Sequence, residues 1–128
     1  MKTIVVTARR ADWQKAQAAG RYTQSTIEST LAEVGFIHAS FPDQTLEIIN
    51  RKYTTEDDLV LLLIDADKLT SPLKYEGARS GRTGTFPHIY GPLNNDAVYT
   101  VATLQKRRDG EFSAPDALKE LEQERQTP

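Results

Sequence analysis

Six consecutive apolar residues, Leu-Val-Leu-Leu-Leu-Ile at 59–64, place the strongest constraint on how this chain folds. A strand with one face in water alternates apolar and polar residues, so an unbroken apolar run is typical of a central strand covered on both faces. Asp65 follows the run and ends it. Other elements must therefore pack on both faces of the sheet that contains this strand. With 128 residues, the chain is expected to form one domain.

Shorter runs predict further strands and a helix around this central strand. In the segment 11–19, Trp13, Ala16 and the following Gly20 fall at i, i+3 and i+7, which indicates a helix that ends at the glycine. The other strands are expected at 4–6, at 36–40, as two short pieces between 74 and 91, and at 98–104, which is the last strand. The sequence therefore predicts a domain that contains both strands and helices.

Serine residues mark the expected starts of three more helices. Ser25 and Glu28 have the spacing of a capping box before a short helical turn that ends at Gly35. Ser40 is expected to cap an amphipathic helix that packs on the sheet. Ser113 is expected to cap a final helix, whose narrow apolar stripe predicts weak docking.

Composition excludes several classes of protein. The chain has no cysteine, so it contains no disulfide, thiol nucleophile or thiolate metal site. Its net charge of -2 does not indicate a nucleic-acid partner. It has no apolar run of about 18 residues and no secretory type of amino terminus, which predicts a cytoplasmic protein without a membrane partner.

The only two histidines of the chain are the first candidates for chemistry. Imidazole changes charge near neutral pH and can donate and accept hydrogen bonds at once. In a strand at 36–40, Phe36, His38 and Ser40 share one face. Pro87 and the turn after Tyr90 hold His88 in a rigid local geometry. The alternative for each histidine is a structural role in a half-buried strand.

A glycine-rich loop at 77–84 contains two further candidates, Arg79 and Arg82. Exposed backbone amides and the two guanidinium groups could bind a phosphate or diphosphate, and the alternative is a solvated loop. Glu76 precedes the loop and could act as a base or orient a ribose hydroxyl. His38, His88 and Glu76 have the residue types of a metal site, but no local ligand spacing supports one, so no metal is expected.

Four strings in the sequence resemble a known family. They are Gly-Phe-Ile-His-Ala-Ser at 35–40, Asp-Leu-Val-Leu-Leu at 58–62 with Asp65, Tyr-Glu at 75–76, and Phe-Pro-His-Ile-Tyr-Gly-Pro-Leu at 86–93. In this order they are similar to the bacterial family called domain of unknown function 952, over residues 4 to 104. That family has no established activity, so the resemblance implies a fold before it implies a function.

The family is similar in turn to the ADP-ribosyltransferase-like fold and, distantly, to RNA 2'-phosphotransferases. This resemblance implies a single α+β domain at 1–104, with a split, mixed sheet flanked by helices. In that fold the sheet binds NAD. The remaining residues, 105–128, are then a charged C-terminal extension with a short helix. It implies that His38 faces a ribose. It places the remaining site residues as follows: Glu76 and His88 as catalytic partners, Ser40, Tyr75 and Tyr90 as ligand contacts, and Arg79 and Arg82 near the diphosphate.

Two functions from different classes follow from this resemblance. The first is an NAD- or nucleotide-processing enzyme, with NAD as a possible substrate and no certain cofactor. The second is a non-catalytic domain that binds a nucleotide-like or other small anionic ligand. The strand at 4–6 has no histidine, whereas the first strand of the phosphotransferases does. That departure is what a binding module, or an enzyme with different chemistry, would show.

Overall fold

The computed structural model describes residues 2–77 and 84–126, with side chains for 2–77 and 84–121. The elements in chain order are β1 (Thr3–Arg9), α1 (Arg10–Ala19), β2 (Arg21–Tyr22), α2 (Leu31–Val34), β3 (Ile37–His38), α3 (Pro42–Lys52), β4 (Leu59–Asp65), β5 (Leu73–Gly77), β6 (Thr85–Ile89), β7 (Leu93–Asn94), β8 (Val98–Thr103), β9 (Gln105–Lys106), β10 (Phe112–Ser113) and α4 (Asp116–Gln126). Two 3-10 turns lie at Ala66–Lys68 and Asn95–Ala97. The predicted α+β class is confirmed.

The central strand predicted from the apolar run is the middle strand of a three-stranded sheet. β4 pairs with β1 on one side and β8 on the other, and both pairs are antiparallel. The β1 register runs from Thr3 opposite Asp65 to Arg9 opposite Leu59. All six residues of the apolar run are buried. The sheet therefore needs cover on both faces, as the run predicted.

Two apolar clusters provide that cover, one on each face of the sheet. Alternate residues of β1 and β4 point into different clusters because side chains in a strand alternate in direction. On the first face, Trp13 and Ala16 of α1 join Ile37 and Ile89 of a second sheet. On the second face, residues of α3, β10 and α4 pack against Val5. Burial of each large side chain contributes about 1.5–3 kcal/mol relative to exposure.

A second sheet of three strands, in the order β3, β6, β5, carries both histidines. The chain leaves this sheet at Ser40, whose N–H and C=O both bond to Val5 of β1, at 2.8 Å each. The predicted strand at 36–40 is therefore divided between two sheets. All pairs among the described strands are antiparallel, so the predicted mixed sheet is wrong there. β5 and β6 are consecutive strands, and a short connection suits antiparallel pairing.

The helix starts predicted at Ser25 and Ser40 need correction. The capping box lies at Thr30 and Glu33, immediately before α2, and not at Ser25 and Glu28. α3 begins after Phe41, whose N–H donates to the Gln44 side chain at 2.9 Å. The hydroxyl of Ser40 instead lies 2.7 Å from the hydroxyl of Thr45. In each case a side chain one turn into the helix satisfies the first backbone amides.

The chain after residue 104 contributes to the core. β8 is not the last strand, because β9 and β10 form a short hairpin after it. Ser113 lies in that hairpin and its hydroxyl donates to Gln105 O, so it does not cap α4. Phe112 and Leu118 are both buried in the second apolar cluster. Two-residue strands leave little periodic signal, which is why the sequence did not predict this hairpin.

Within the described residues, no helix has the length and apolar character needed to cross a lipid bilayer.

Candidate functional site

His38 and His88 lie directly opposite each other on the neighbouring strands β3 and β6. Their ring centroids are 5.4 Å apart and the rings meet edge to face. Partners in an antiparallel pair point to the same side of a sheet, so this register brings both imidazoles to one face. Ile37 and Ile89, on the other face, belong to the first apolar cluster. The two histidines therefore meet on one face of the second sheet.

Glu76 of β5 connects His88 to Tyr90. Its Oε1 lies 2.8 Å from Nδ1 of His88 and accepts a hydrogen bond of 2.5 Å from the hydroxyl of Tyr90. The hydrogen bond from Tyr90, followed by that from His88, lowers the pKa of the Glu76 carboxyl below its ordinary value of 4.5. Glu76 is therefore an ionised carboxylate at neutral pH.

Exposure differs sharply between the members of this network. The His88 residue is only 3% exposed, whereas the side chain of Glu76 is 38% exposed. Both hydrogen bonds that Glu76 makes to described residues end at Oε1.

Ser25 contacts His38 through both its side chain and its backbone. Its hydroxyl lies 3.0 Å from Nδ1 of His38, and its carbonyl accepts the His38 backbone N–H at 3.0 Å. Ser25 is only 2% exposed. The sequence predicted a helix cap at Ser25, and no local spacing indicates that it contacts a histidine thirteen residues later. Only the tertiary fold shows this contact.

Phe36 packs over the imidazoles. Its ring stacks on His88 at 4.1 Å between centroids, and lies 4.8 Å from His38 and 5.2 Å from Tyr90. Phe36 is itself buried. The alternation of the strand at 36–40 had placed Phe36 on the His38 face, so this neighbour could be found from the sequence. We call the six residues Ser25, Phe36, His38, Glu76, His88 and Tyr90 the histidine cluster.

Tyr75, which the resemblance implied as a ligand contact, lies outside the histidine cluster. Tyr75 is opposite Pro87 in β5 and β6, so it points away from the face that carries Glu76 and His88. It is 43% exposed, stacks on Phe41 at 5.7 Å and has the Lys2 ammonium 4.4 Å from its ring centroid.

Ser40 also lies apart from the assembled cluster. The hydroxyl of Ser40 is buried beside Thr45 in the contact between β1 and α3. Arg79 and Arg82 lie outside the described residues.

Lys74 is a charged neighbour that the sequence did not single out. It lies opposite His88 in the β5–β6 pair, on the cluster face, with its ammonium 4.8 Å from the centroid of the Tyr90 ring. Its ring contact is of the cation–π type, and its charge lowers the pKa of Glu76 slightly further. The face thus carries one carboxylate and one ammonium at its edge.

Among the described residues, no group of three histidine or acidic side chains comes together as a metal site requires. A groove of about 250 Å³ lies elsewhere, between α1 and β2, and contains none of the cluster residues in its lining. The groups that the histidine cluster contains for chemistry are two imidazoles, one carboxylate and two hydroxyls.

Residues 7–101 match the sequence profile of a family described as protein of unknown function (DUF952). The chain belongs to the DUF952 family. The family predicted from the four strings is thereby confirmed. The ADP-ribosyltransferase-like fold and the distant similarity to RNA 2'-phosphotransferases stay predictions.

Solved structures similar to this DUF952 chain come from Caulobacter crescentus. The crystal structure of protein CC0527 is 36% identical, covers 91% of this chain and 98% of its own, and has a TM-score of 0.78. The solution NMR structure of CC0527 is 33% identical, covers 94% and 97%, and has a TM-score of 0.73. No curated protein sequence matches the chain. The fold described above is therefore similar to the one found experimentally for CC0527.

Proposed function

We propose that this chain is an NAD- or nucleotide-processing enzyme of the ADP-ribosyltransferase-like type, with the histidine cluster as its ligand site. The observation that supports it is the meeting of His38, His88 and ionised Glu76 on one sheet face. Two imidazoles on one face, one of them hydrogen-bonded to a carboxylate, are groups suited to acid–base work and to the stabilisation of developing charge.

The hydrogen-bonding character of the site favours a sugar. A carboxylate only accepts hydrogen bonds, and a neutral imidazole accepts at one of its nitrogens. Glu76 Oε2 and His38 can therefore accept from a ligand that presents hydroxyl donors. The hydroxyls of a ribose are such donors. Lys74 at the edge of the same face supplies a positive charge for an attached phosphate.

In this proposal each residue has a distinct part. His38 accepts a hydrogen bond from a ribose hydroxyl. Glu76 stabilises the positive charge that develops at the ribose carbon as the bond to nicotinamide breaks, with the electron pair leaving on nicotinamide. The oxygen of water or of an acceptor hydroxyl then forms the new bond to that carbon and releases its proton to solvent. Buried His88 holds the Glu76 carboxylate in place, as does Tyr90. Arg79 and Arg82 are proposed to contact the diphosphate.

One observation favours a second candidate, a non-catalytic domain that binds a nucleotide-like or other small anionic ligand. His88 is nearly inaccessible and its Nδ1 is already bonded to Glu76. A buried histidine of this kind cannot readily exchange a proton with a ligand. If Glu76 and His38 only orient the ligand, the same face binds without turnover.

The test is an NMR titration of the intact chain with NAD, ADP-ribose and a 2'-phosphorylated nucleotide, together with an assay for free nicotinamide. Saturable shifts at His38 and His88 are expected with at least one ligand, and release of nicotinamide is expected with NAD. Shifts without release support the binding domain in place of the enzyme. If none of the three ligands shifts the histidines, the proposal is wrong.

A pair of tyrosine variants provides the matched control. Tyr90→Phe removes the hydroxyl that donates to Glu76, whereas Tyr75→Phe removes a hydroxyl on the opposite face of the same sheet. Tyr90→Phe is expected to weaken ligand binding or turnover, because the Glu76 carboxylate loses a hydrogen bond that holds it in place, and Tyr75→Phe is expected to leave both unchanged. Equal effects of the two variants would contradict the location of the site.

A further inference from the structure

The hydroxyl of Ser25 makes two contacts, and only one of them can use its proton. Its Oγ lies 2.5 Å from the carbonyl oxygen of Phe36 and 3.0 Å from Nδ1 of His38. A carbonyl oxygen can only accept a hydrogen bond, and a hydroxyl has a single proton to donate. The proton of Ser25 is therefore used by Phe36, and the oxygen must accept from His38.

We infer that Ser25 is a positioning residue that fixes the tautomer of His38. Because Oγ accepts, Nδ1 of His38 carries a proton. In the neutral imidazole the lone pair must then be on Nε2. Ser25 in this way decides which nitrogen of His38 can accept a hydrogen bond. The consequence for a ribose hydroxyl rests on the proposed function, whereas the tautomer itself follows from the contacts alone.

The backbone around Ser25 holds this arrangement rigidly. The N–H of Ser25 donates to Ser29 O at 2.8 Å, and the Ser25 carbonyl accepts from His38 N–H at 3.0 Å. Ser25 is also almost wholly buried, so water does not compete for its hydroxyl. Both the main chain and the side chain of Ser25 thus hold His38, which is the support that a preorganised site requires.

The same reasoning gives His88 the same tautomer by a different acceptor. Its Nδ1 faces the carboxylate of Glu76, which can only accept. One imidazole therefore donates to a neutral hydroxyl and the other to a charged carboxylate. This difference provides an internal comparison, because a change at Ser25 should alter His38 and leave the tautomer of His88 as it is.

The experiment is nitrogen NMR of the two imidazoles in the free chain at about pH 8.5, roughly two units above the ordinary histidine pKa. We expect His38 in the wild-type chain to show a protonated Nδ1 and an unprotonated Nε2. A protonated Nε2 at His38 would overturn the inference without any variant. This measurement requires neither a ligand nor a mutation.

Ser25→Ala and Ser25→Thr then test the role of the hydroxyl. In Ser25→Ala we expect the Nδ1 and Nε2 signals of His38 to move toward each other as both tautomers become populated, while those of His88 stay in place. Ser25→Thr retains a hydroxyl and should restore the wild-type signals. An unchanged His38 tautomer in a folded Ser25→Ala chain would also overturn the inference. If the chain shows the expected His38 tautomer but none of the three nucleotides shifts its histidine signals, the proposed function is wrong and the inference on Ser25 still holds.

Discussion

Gly91 lies at the turn after Tyr90 and has a backbone conformation that other residues rarely adopt. Its φ angle is +151°, and a Cβ added there would lie 2.5 Å from Oγ and 2.9 Å from Cβ of Ser71. The Ser71 hydroxyl cannot move away freely, because it donates to Pro92 O at 2.7 Å. Both backbone strain and overpacking therefore oppose a side chain at this position.

We predict that Gly91→Ala lowers the free energy of unfolding by about 2–4 kcal/mol. Gly110→Ala is the matched control, since Gly110 has a φ angle of +88° but no atom within 4 Å of the added Cβ. It should cost only about 1–2 kcal/mol, from backbone strain alone. Urea unfolding of the three chains measures both changes. Equal losses would show that the contact with Ser71 is unimportant.

Strand alternation predicts from the sequence which residues of the histidine cluster share a face within one strand, but not that β3 and β6 pair. Phe36 and His38 are two residues apart, as are His88 and Tyr90, so each pair shares a face. The same rule separates Tyr75 from Glu76, which are adjacent in β5 and point in opposite directions. Ser25 could not be predicted, because its contact with His38 depends on how a loop folds over a strand.

Among the secondary-structure elements, the predictions were correct where the hydrophobic pattern in the sequence was long. Six apolar residues in succession predicted β4 and its place in the middle of the sheet. The hairpin of β9 and β10 has two residues per strand, too few for periodicity to be seen. Strand 36–40 looked continuous, but the pairing of Ser40 with Val5 transfers its end to another sheet. Such transfers depend on tertiary contacts that local pattern does not contain.

Helix α4 offers a test of how strongly the chain beyond residue 104 is attached. Leu118 is fully buried in the second apolar cluster, with Ile49 and Phe112. We predict that Leu118→Ala lowers the free energy of unfolding by about 2–4 kcal/mol, because it leaves a cavity as well as removing apolar contact. Thermal or urea unfolding of the full chain measures this loss.

The neighbouring Lys119→Ala is the control, since Lys119 is exposed on the same helix. It should change the free energy of unfolding by less than about 0.5 kcal/mol. If Leu118→Ala were as mild as Lys119→Ala, the helix would dock weakly, as the narrow apolar stripe predicted. The segment at 105–128 would then behave as an extension of the domain at 1–104.

At the scale of the whole molecule, one ion pair connects three separate parts of the chain. Arg9 at the end of β1 donates through Nε and Nη2 to both oxygens of Glu56, at 2.7 and 3.2 Å. Its Nη1 donates to Ile27 O at 2.8 Å. The hydrogen bond from Arg9 lowers the pKa of Glu56 below its ordinary value of 4.5. The folded state therefore binds a proton at Glu56 less readily than the unfolded state does.

This difference in pKa determines the sign of the pH dependence. A carboxyl with a lowered folded-state pKa stabilises the fold above its unfolded value, and that contribution is lost as pH falls through the folded value. We predict that Glu56→Gln lowers the free energy of unfolding at pH 7 by about 1 kcal/mol or less, because the pair is partly exposed. The difference from the wild-type chain should shrink as the pH is lowered below 4.5.

The comparison of wild-type and variant chains isolates Glu56, because the two histidines and the other carboxyls titrate in both. Glu76 also has a lowered pKa, so the wild-type chain itself should lose stability in the same acidic range. Glu120→Gln, an exposed carboxyl on α4, should unfold like the wild-type chain at every pH. Urea unfolding at a series of pH values measures all three chains. A Glu56→Gln difference that stays constant down to pH values well below 4.5 would show that the Arg9 pair does not act through the charge of Glu56.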